Sequence, residues 1–386
     1  MFEHLIERVS RLQRLAPEGL PLHAPVFRGR EKQYLLDVVD STFVSSVGDY
    51  VNRFERLLER KTGAGHAVAC INGTAALEMA LRLAGLRRGD LAVTQSLSFV
   101  GTANAIVHAG GRPVFVDVEQ RTLGLSPEAL RDFLNSQCEP GEGGCRHKPS
   151  GRRIGACVPM HTFGLPLQIK DITDICHQWR IPVVEDAAEA LGSSVAGRAC
   201  GTWGLLGILS FNGNKIVTAG GGGAILTNDE TLAARARHLT TTAKKIHQWE
   251  FRHDETAWNF RLPNLNAALG CAQLEQLEEF LAIKRWRAQQ YAGVFSDGGW
   301  QFIRENEGSA ANYWLCAALT NSRRERDIFL EESNQAGLGT RPAWTPLHTL
   351  PMYAGDPVGE MSQTLDLAGR LVNLPSGVGD LTVEDL

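Results

Sequence analysis

Residues 181–228 hold the side chains whose types and order point to chemistry. Ile181, Val183 and Val184 form a short apolar run that reads as a buried strand, and the run stops at Glu185-Asp186. A carboxylate therefore stands at the strand's C-terminal end, where open α/β sheets bind ligands. A second apolar run, residues 205–211, leads into Ser-Phe-Asn-Gly-Asn-Lys and sets the amine of Lys215 just past another buried segment. Gly220 to Gly223 follow, and glycine lets other groups approach the backbone closely. A carboxylate and an amine so placed meet the demands of pyridoxal phosphate. The carboxylate, Asp186, keeps the pyridine nitrogen protonated. The amine, Lys215, forms the Schiff base and later moves the proton. Each residue alone has a plainer reading, since an Asp after a strand commonly caps a helix and a loop Lys is commonly solvated. The assignment rests on the elements around them.

Those elements alternate. Residues 67–71 read as a strand running into Asn72-Gly73-Thr74, and 75–83 are strong helix formers. A strand, a glycine and a helix start make a phosphate site, because free N–H groups and the positive end of the helix dipole face the anion. Gly73, Thr74 and Ala75 are the candidates. Residues 92–94 form the next strand, and Phe99 stands at the following turn, where it could stack on a flat ring. Strands over 113–117 and 154–160 and helices over 127–134 and 169–180 continue the pattern. The alternation from 67 to 226 predicts an α/β fold with a doubly wound, mainly parallel sheet covered on both faces. Residues 15–31 read as an extended arm, and 240–257 as a long polar and aromatic loop. Beyond about 290 a small C-terminal α+β domain is expected, giving a large domain with an N-terminal arm over residues 1–280 and a small domain over 281–386. Residues 138–153 interrupt the pattern. Cys138, Cys145 and His147 offer three ligands but no closely spaced C-x-x-C pair, so the sequence predicts a flexible surface insertion and no metal site.

The central stretch resembles the sugar-nucleotide aminotransferases, pyridoxal phosphate enzymes of the aspartate-aminotransferase (type I) transferase fold. The family's E-D-A-A-(Q/E/H)-(A/S)-x-G segment is similar to Glu185–Gly192, its S-F-x-x-x-K segment to Ser210–Lys215, and its G-(E/G)-G-G turn to Gly220–Gly223. The segment SFNGNKIVTAGGGG looks most like the branch making 4-amino sugars for bacillosamine and legionaminic acid. The resemblance implies that glutamate gives its amino group to the cofactor, leaving pyridoxamine phosphate. That form would then aminate C4 of a nucleotide-linked 4-keto-6-deoxy sugar, a UDP-linked N-acetyl hexosamine derivative first. It further implies that Ser210 binds the cofactor phosphate, that Glu189 contacts the O3′ side, and that Phe99 stacks on the ring. Asn259, in a segment similar to the family's N-(Y/F)-R-(L/M), would reach the phosphate of the partner subunit in a homodimer with shared active sites. His161 would border the site. Arg341, Trp344 and His348 would meet the substrate nucleotide or the donor carboxylate, and Ser45, Ser46 and Tyr50 would lie near the sugar. Two alternatives stay open. A related sugar dehydratase carries His where this chain has Lys215. A non-catalytic regulator or scaffold has no need of Asp186, Lys215, Ser210 and Asn259 together.

Composition agrees with a globular catalyst. The chain has 386 residues, 43% hydrophobic and 21% charged, enough for a large core and two domains. A net charge of -4 gives no electrostatic case for nucleic acid. No apolar run reaches the length of a membrane span. Glu3, Glu7, Arg8, Arg11 and Arg14 exclude a secretory leader at the N-terminus, which reads instead as an amphipathic helix. The eight cysteines stand singly and are expected as free thiols in a reducing cytoplasm.

Overall fold

Seven strands with buried, mostly β-branched or small residues build the central sheet: β1 (His66–Cys70), β2 (Leu91–Gln95), β3 (Arg112–Val116), β4 (Arg153–Val158), β5 (Val184–Asp186), β6 (Leu206–Ser210) and β7 (Gly223–Thr227). The computed structural model describes residues 2–13, 21–141, 143–295 and 299–386, so the start of the predicted arm, 15–20, lies outside them. Strands β3, β2 and β4 pair in parallel, as do β5 and β6, and parallel bridges Cys157–Val183 and Met160–Asp186 join the two sets. The order is β3-β2-β4-β5-β6-β7-β1, with only β7 antiparallel to its neighbours.

The two-residue period of each strand divides the core. On β1, Ala67 and Ala69 face one cluster with Phe54, Ala268 and Phe280, while Val68 and Cys70 face another with Leu77, Leu81 and Ile106. Leu209 on β6 joins the first cluster, and Leu206 and Ile208 the second. Helices therefore cover both faces, and the C-terminal ends of β1, β2, β5 and β6 meet along one edge. There Asn72 ends the β1 turn and caps helix Gly73–Leu83, its side chain accepting from Ala75 N at 2.8 Å.

The C-terminal unit holds a second, antiparallel sheet of β8 (Gln301–Phe302), β9 (Cys316–Leu319), β10 (Arg341–Pro342) and β11 (Leu371–Leu374), in the order β8-β9-β11-β10. Helix Leu277–Phe295 runs through the expected boundary at 280. It buries Leu277, Phe280 and Ile283 in the first cluster, and Ala288, Tyr291 and Phe295 in the C-terminal one. Helix Glu3–Gln13 places Ile6 and Val9 in that same cluster, which also takes in Leu97, Val118 and Phe163 from the large domain.

The 138–153 insertion is not a loose loop. Cys138–Gly141 and Gly144–His147 form an antiparallel hairpin that extends the sheet through Cys145–Ile154 and Arg146–Arg153. Alternation explains it. Cys138, Cys145 and His147 are buried, the His147 ring stacking on Phe133 at 5.9 Å, while Glu139 and Arg146 pair outside at 2.7 Å. The predicted loop over 240–257 likewise contains a short hairpin, Lys244–Lys245 with Arg252–His253.

Candidate active site

The sheet edge opens into a cavity of about 390 Å³. Asp186, the last residue of β5, lines one wall and is buried. Its Oδ2 accepts from Thr102 Oγ1 at 2.7 Å and its Oδ1 from Ala188 N at 3.1 Å. Burial pushes this carboxyl above its ordinary range, while Thr102, the Ala188 N–H and the charges of Lys215 and His161 pull the other way. A base's N–H at this wall would meet a carboxylate already aligned by two donors.

Lys215 enters from the turn after β6, where its N–H donates to Asn212 O at 3.0 Å. Its Nζ lies 3.1 Å from Glu189 Oε1 and 3.9 Å from the centroid of the Trp314 ring. Glu189 is buried as well, and its Oε2 accepts from Phe163 N at 2.9 Å. Burial raises the Glu189 carboxyl to about 7, with Asp186 adding to the rise and Lys215 and the Phe163 N–H opposing it.

Asn72, Gly73, Thr74 and Ser210 also line the cavity. A Cβ on Gly73 would come within 3.0 Å of Ser210 Cβ, so glycine lets the helix start and the β6 end share one anion seat. Among the described residues no protein acceptor takes the N–H of Gly73 or Thr74. Ala75 differs from the expectation: its N–H is committed to Asn72 Oδ1, and it does not line the cavity. Phe99 is 51% exposed at the mouth, its ring 6.4 Å from Trp344, which in turn packs on Phe163 at 4.8 Å.

Pyridoxal phosphate fits this donor set. Helix N–H groups and a hydroxyl would hold its anionic end, a buried carboxylate would meet its ring nitrogen, an aromatic side chain would cover its flat face, and a primary amine would reach its aldehyde.

The structure separates other sequence candidates from this cavity. His161 is fully buried, its Nε2 3.1 Å from Glu185 Oε2 and its Nδ1 accepting from Leu167 N at 3.2 Å. Glu185 also accepts from the N–H groups of Gly201, Trp203 and Gly204. The pair therefore ties loops behind β5, and His161 has no face for a substrate. Arg341 is exposed and bonded to Asn334 Oδ1 at 2.7 Å, and His348 Nδ1 lies 2.7 Å from Ser96 Oγ. Neither lines the cavity, and neither do Ser45, Ser46 and Tyr50. Asn259 is exposed and outside it, bridged to Thr241 at the foot of the 244–253 hairpin.

Sequence reasoning missed Thr102, Asn212, Asn214 and Trp314, all of which line the cavity. Thr102 had a signal, three residues after the ring-stacking candidate at a helix start. Trp314 had none, because an aromatic in an apolar run reads as core.

Comparison with known proteins gives concordant matches. The profile of the DegT/DnrJ/EryC1/StrS aminotransferase family matches residues 26–386. A GDP-perosamine synthase of Escherichia coli O157:H7 is 32% identical over 361 residues, 92% of this chain and 93% of that protein. A dTDP-4-dehydro-2,3,6-trideoxy-D-glucose 4-aminotransferase of Saccharopolyspora spinosa is 30% identical over 353 residues, 87% and 86% of the two chains. The crystal structure of the aminotransferase TlmJ from Streptoalloteichus hindustanus superposes with a TM-score of 0.85 at 28% identity, covering 95% of each chain.

Proposed function

Since the chain belongs to the DegT/DnrJ/EryC1/StrS aminotransferase family and is a pyridoxal phosphate-dependent sugar aminotransferase, we propose that it carries an amino group from glutamate to C4 of a nucleotide-linked 4-keto-6-deoxy sugar. The nucleotide sugar in this reading is a UDP-linked N-acetyl hexosamine derivative, made into an amino sugar for the bacterial surface. The observation that carries the catalytic part is the Lys215 Nζ, 3.1 Å from Glu189 in the same cavity as the buried Asp186. The nucleotide and the acetamido group rest on the resemblance of residues 210–223 alone.

When bound, the cofactor supplies an electron sink for the carbanion formed at the donor's Cα or the sugar's C4. The chain supplies position and protons. The Gly73 and Thr74 N–H groups and the Ser210 hydroxyl bind the phosphate, with the helix dipole behind them. Asp186 holds a proton on the ring nitrogen, and the low dielectric around it strengthens that contact. Phe99 covers the ring face at the mouth. Lys215 Nζ would carry the proton from the donor's Cα to the cofactor's C4′ and, in the second half-reaction, one from C4′ to sugar C4. Glu189 takes up or gives a proton at Lys215 Nζ, to which it is already hydrogen-bonded. The same reading makes the protein a cytoplasmic homodimer in which Asn259 of each subunit completes the other's phosphate site. Free, buried cysteines support the reducing compartment. No helix among the described residues is long and apolar enough to cross a membrane.

The test loads the enzyme with pyridoxamine phosphate and offers UDP-, GDP- and dTDP-linked 4-keto-6-deoxy sugars, with and without a 2-acetamido group. Amination of the UDP-linked acetamido sugar with the highest kcat/KM is expected. A preference for a GDP-linked sugar without the acetamido group would support the second reading, which the 32% identity to a GDP-perosamine synthase favours.

A further inference from the structure

Residues 312–314, from the C-terminal unit, touch both groups between which a proton must move. Trp314 turns its ring face to Lys215, with Nζ 3.9 Å from the centroid. Its indole Nε1 donates to Asn214 O at 2.6 Å, on the residue just before that lysine. Its backbone N–H donates to Asn312 Oδ1 at 2.8 Å. Asn312 is fully buried, and its Nδ2 donates to the carbonyls of Glu189 and Leu191, each at 2.8 Å. Its own N–H donates to Ser193 Oγ at 2.9 Å. Behind the ring, Lys284 Nζ donates to Trp314 O at 3.3 Å. A single tripeptide is thus pinned to the loop that carries the amine and to the turn that carries the carboxylate.

An ammonium between an aromatic face and a carboxylate is held from two sides. A lysine side chain has four flexible carbons, and without such a seat its amine would sample many rotamers while unbonded. Proton transfer needs the amine within hydrogen-bond reach of its partners, so seating bears directly on rate. We propose that Trp314 is a positioning residue that seats the unbonded Lys215 amine beside Glu189, with Asn312 fixing the seat relative to the Glu189 turn. The proposal rests on the reading of Lys215 as the residue that captures the cofactor's aldehyde.

The test uses full-length apoprotein and follows capture of added pyridoxal phosphate by absorbance. In that step the Lys215 amine adds to the aldehyde carbon and water leaves. Trp314→Leu removes the aromatic face and is expected to slow capture about tenfold, while Trp314→Phe, which keeps a face, stays within about threefold of wild type. Pyridoxamine phosphate forms no bond to Lys215, so its equilibrium affinity should stay within about twofold in both variants, which also reports an intact cavity. In turnover, Trp314→Leu should lower kcat by a similar factor and leave the KM for the sugar nucleotide within about twofold. Wild-type capture by Trp314→Leu overturns the proposal. So does capture by Trp314→Phe as slow as by Trp314→Leu, or a pyridoxamine phosphate affinity that falls in step with capture. Lys215→Ala is expected to show no capture, and capture by that variant would overturn the underlying lysine assignment instead.

Discussion

Asp186 and Glu189 face one cavity through different partners, and this separates what their substitutions should do. Asp186 receives hydrogen bonds from Thr102 and the Ala188 N–H. An Asn there can keep the Ala188 contact through its Oδ1 and donate from its Nδ2 to Thr102 Oγ1, but offers no negative charge to the ring nitrogen. Asp186→Asn should therefore leave the fold intact and lower kcat by about 10²-fold or more, measured with cofactor occupancy confirmed by absorbance. A loss of less than about threefold would make Asp186 structural. Glu189 carries a stability signature. Its carboxyl is raised from 4.5 to about 7, so between those pH values the folded apoprotein keeps a proton that the unfolded chain has released. Stability supplied by that proton is complete below about pH 4.5 and is lost as pH rises through 7. Glu189→Gln does not titrate. Its unfolding free energy from urea curves should improve relative to wild type between pH 5 and 8, by at most about 3 kcal/mol. A difference independent of pH would show a carboxylate ionised throughout.

At the scale of elements, the site depends on how closely β1, β7 and the helix that follows β1 approach one another. A Cβ on Gly223 would lie 2.4 Å from Asn72 O and 2.7 Å from Gly73 N, and neither backbone atom can move without disturbing the anion seat. Gly223→Ala should cost roughly 1–3 kcal/mol in thermal or urea unfolding. It should also weaken retention of pyridoxamine phosphate, scored by dialysis. Unchanged stability and retention would mean the approach is looser than drawn. Much of this arrangement was legible beforehand. Runs such as 181–184 and 205–211 are apolar because the sheet is covered on both faces, and Asn-Gly-Thr before a helix former announces an N-terminus. What was not legible came from tertiary placement. Trp314 reaches the cavity through hydrogen bonds of Asn312 to a turn far away in sequence, and nothing local marks that reach. His161 stands just past a buried strand much as Asp186 stands at the end of one, but a neighbouring carboxylate and a backbone N–H turn it inward. The 138–147 segment carries glycines and charges and reads as loop, while its alternating buried cysteines mark a strand edge.

For the whole molecule, the exposed apolar side chains bear on assembly. Leu36 and Val39 on helix Glu31–Ser41, with Phe43, Val44 and Val47 just after it, lie open. On the 244–253 hairpin Ile246 is 104% exposed, Trp249 73% and Phe251 82%. Such side chains on a monomer surface point to a protein partner, and the homodimer proposed above supplies one. Asn259 stands at the foot of the same hairpin, outside its own subunit's cavity. Mixing Lys215→Ala with Asn259→Ala, each inactive alone, should therefore restore activity at about a quarter of all sites after random reassortment of two-fold dimers. No restoration, once reassortment has been verified, would rule out sharing.

The inserted hairpin has a consequence for solubility. An open strand edge is a template on which other chains can polymerise. The outer strand of this hairpin, Cys138–Gly141, contains Pro140, which has no N–H to offer an incoming strand, and the Glu139 and Arg146 pair adds charge beside it. The segment that interrupts the repeating pattern thus works as a gatekeeper. A chain lacking residues 138–150 would leave Arg153 and Ile154 of β4 without a partner on that side and should aggregate at concentrations where the full-length protein stays dispersed, as light scattering would show.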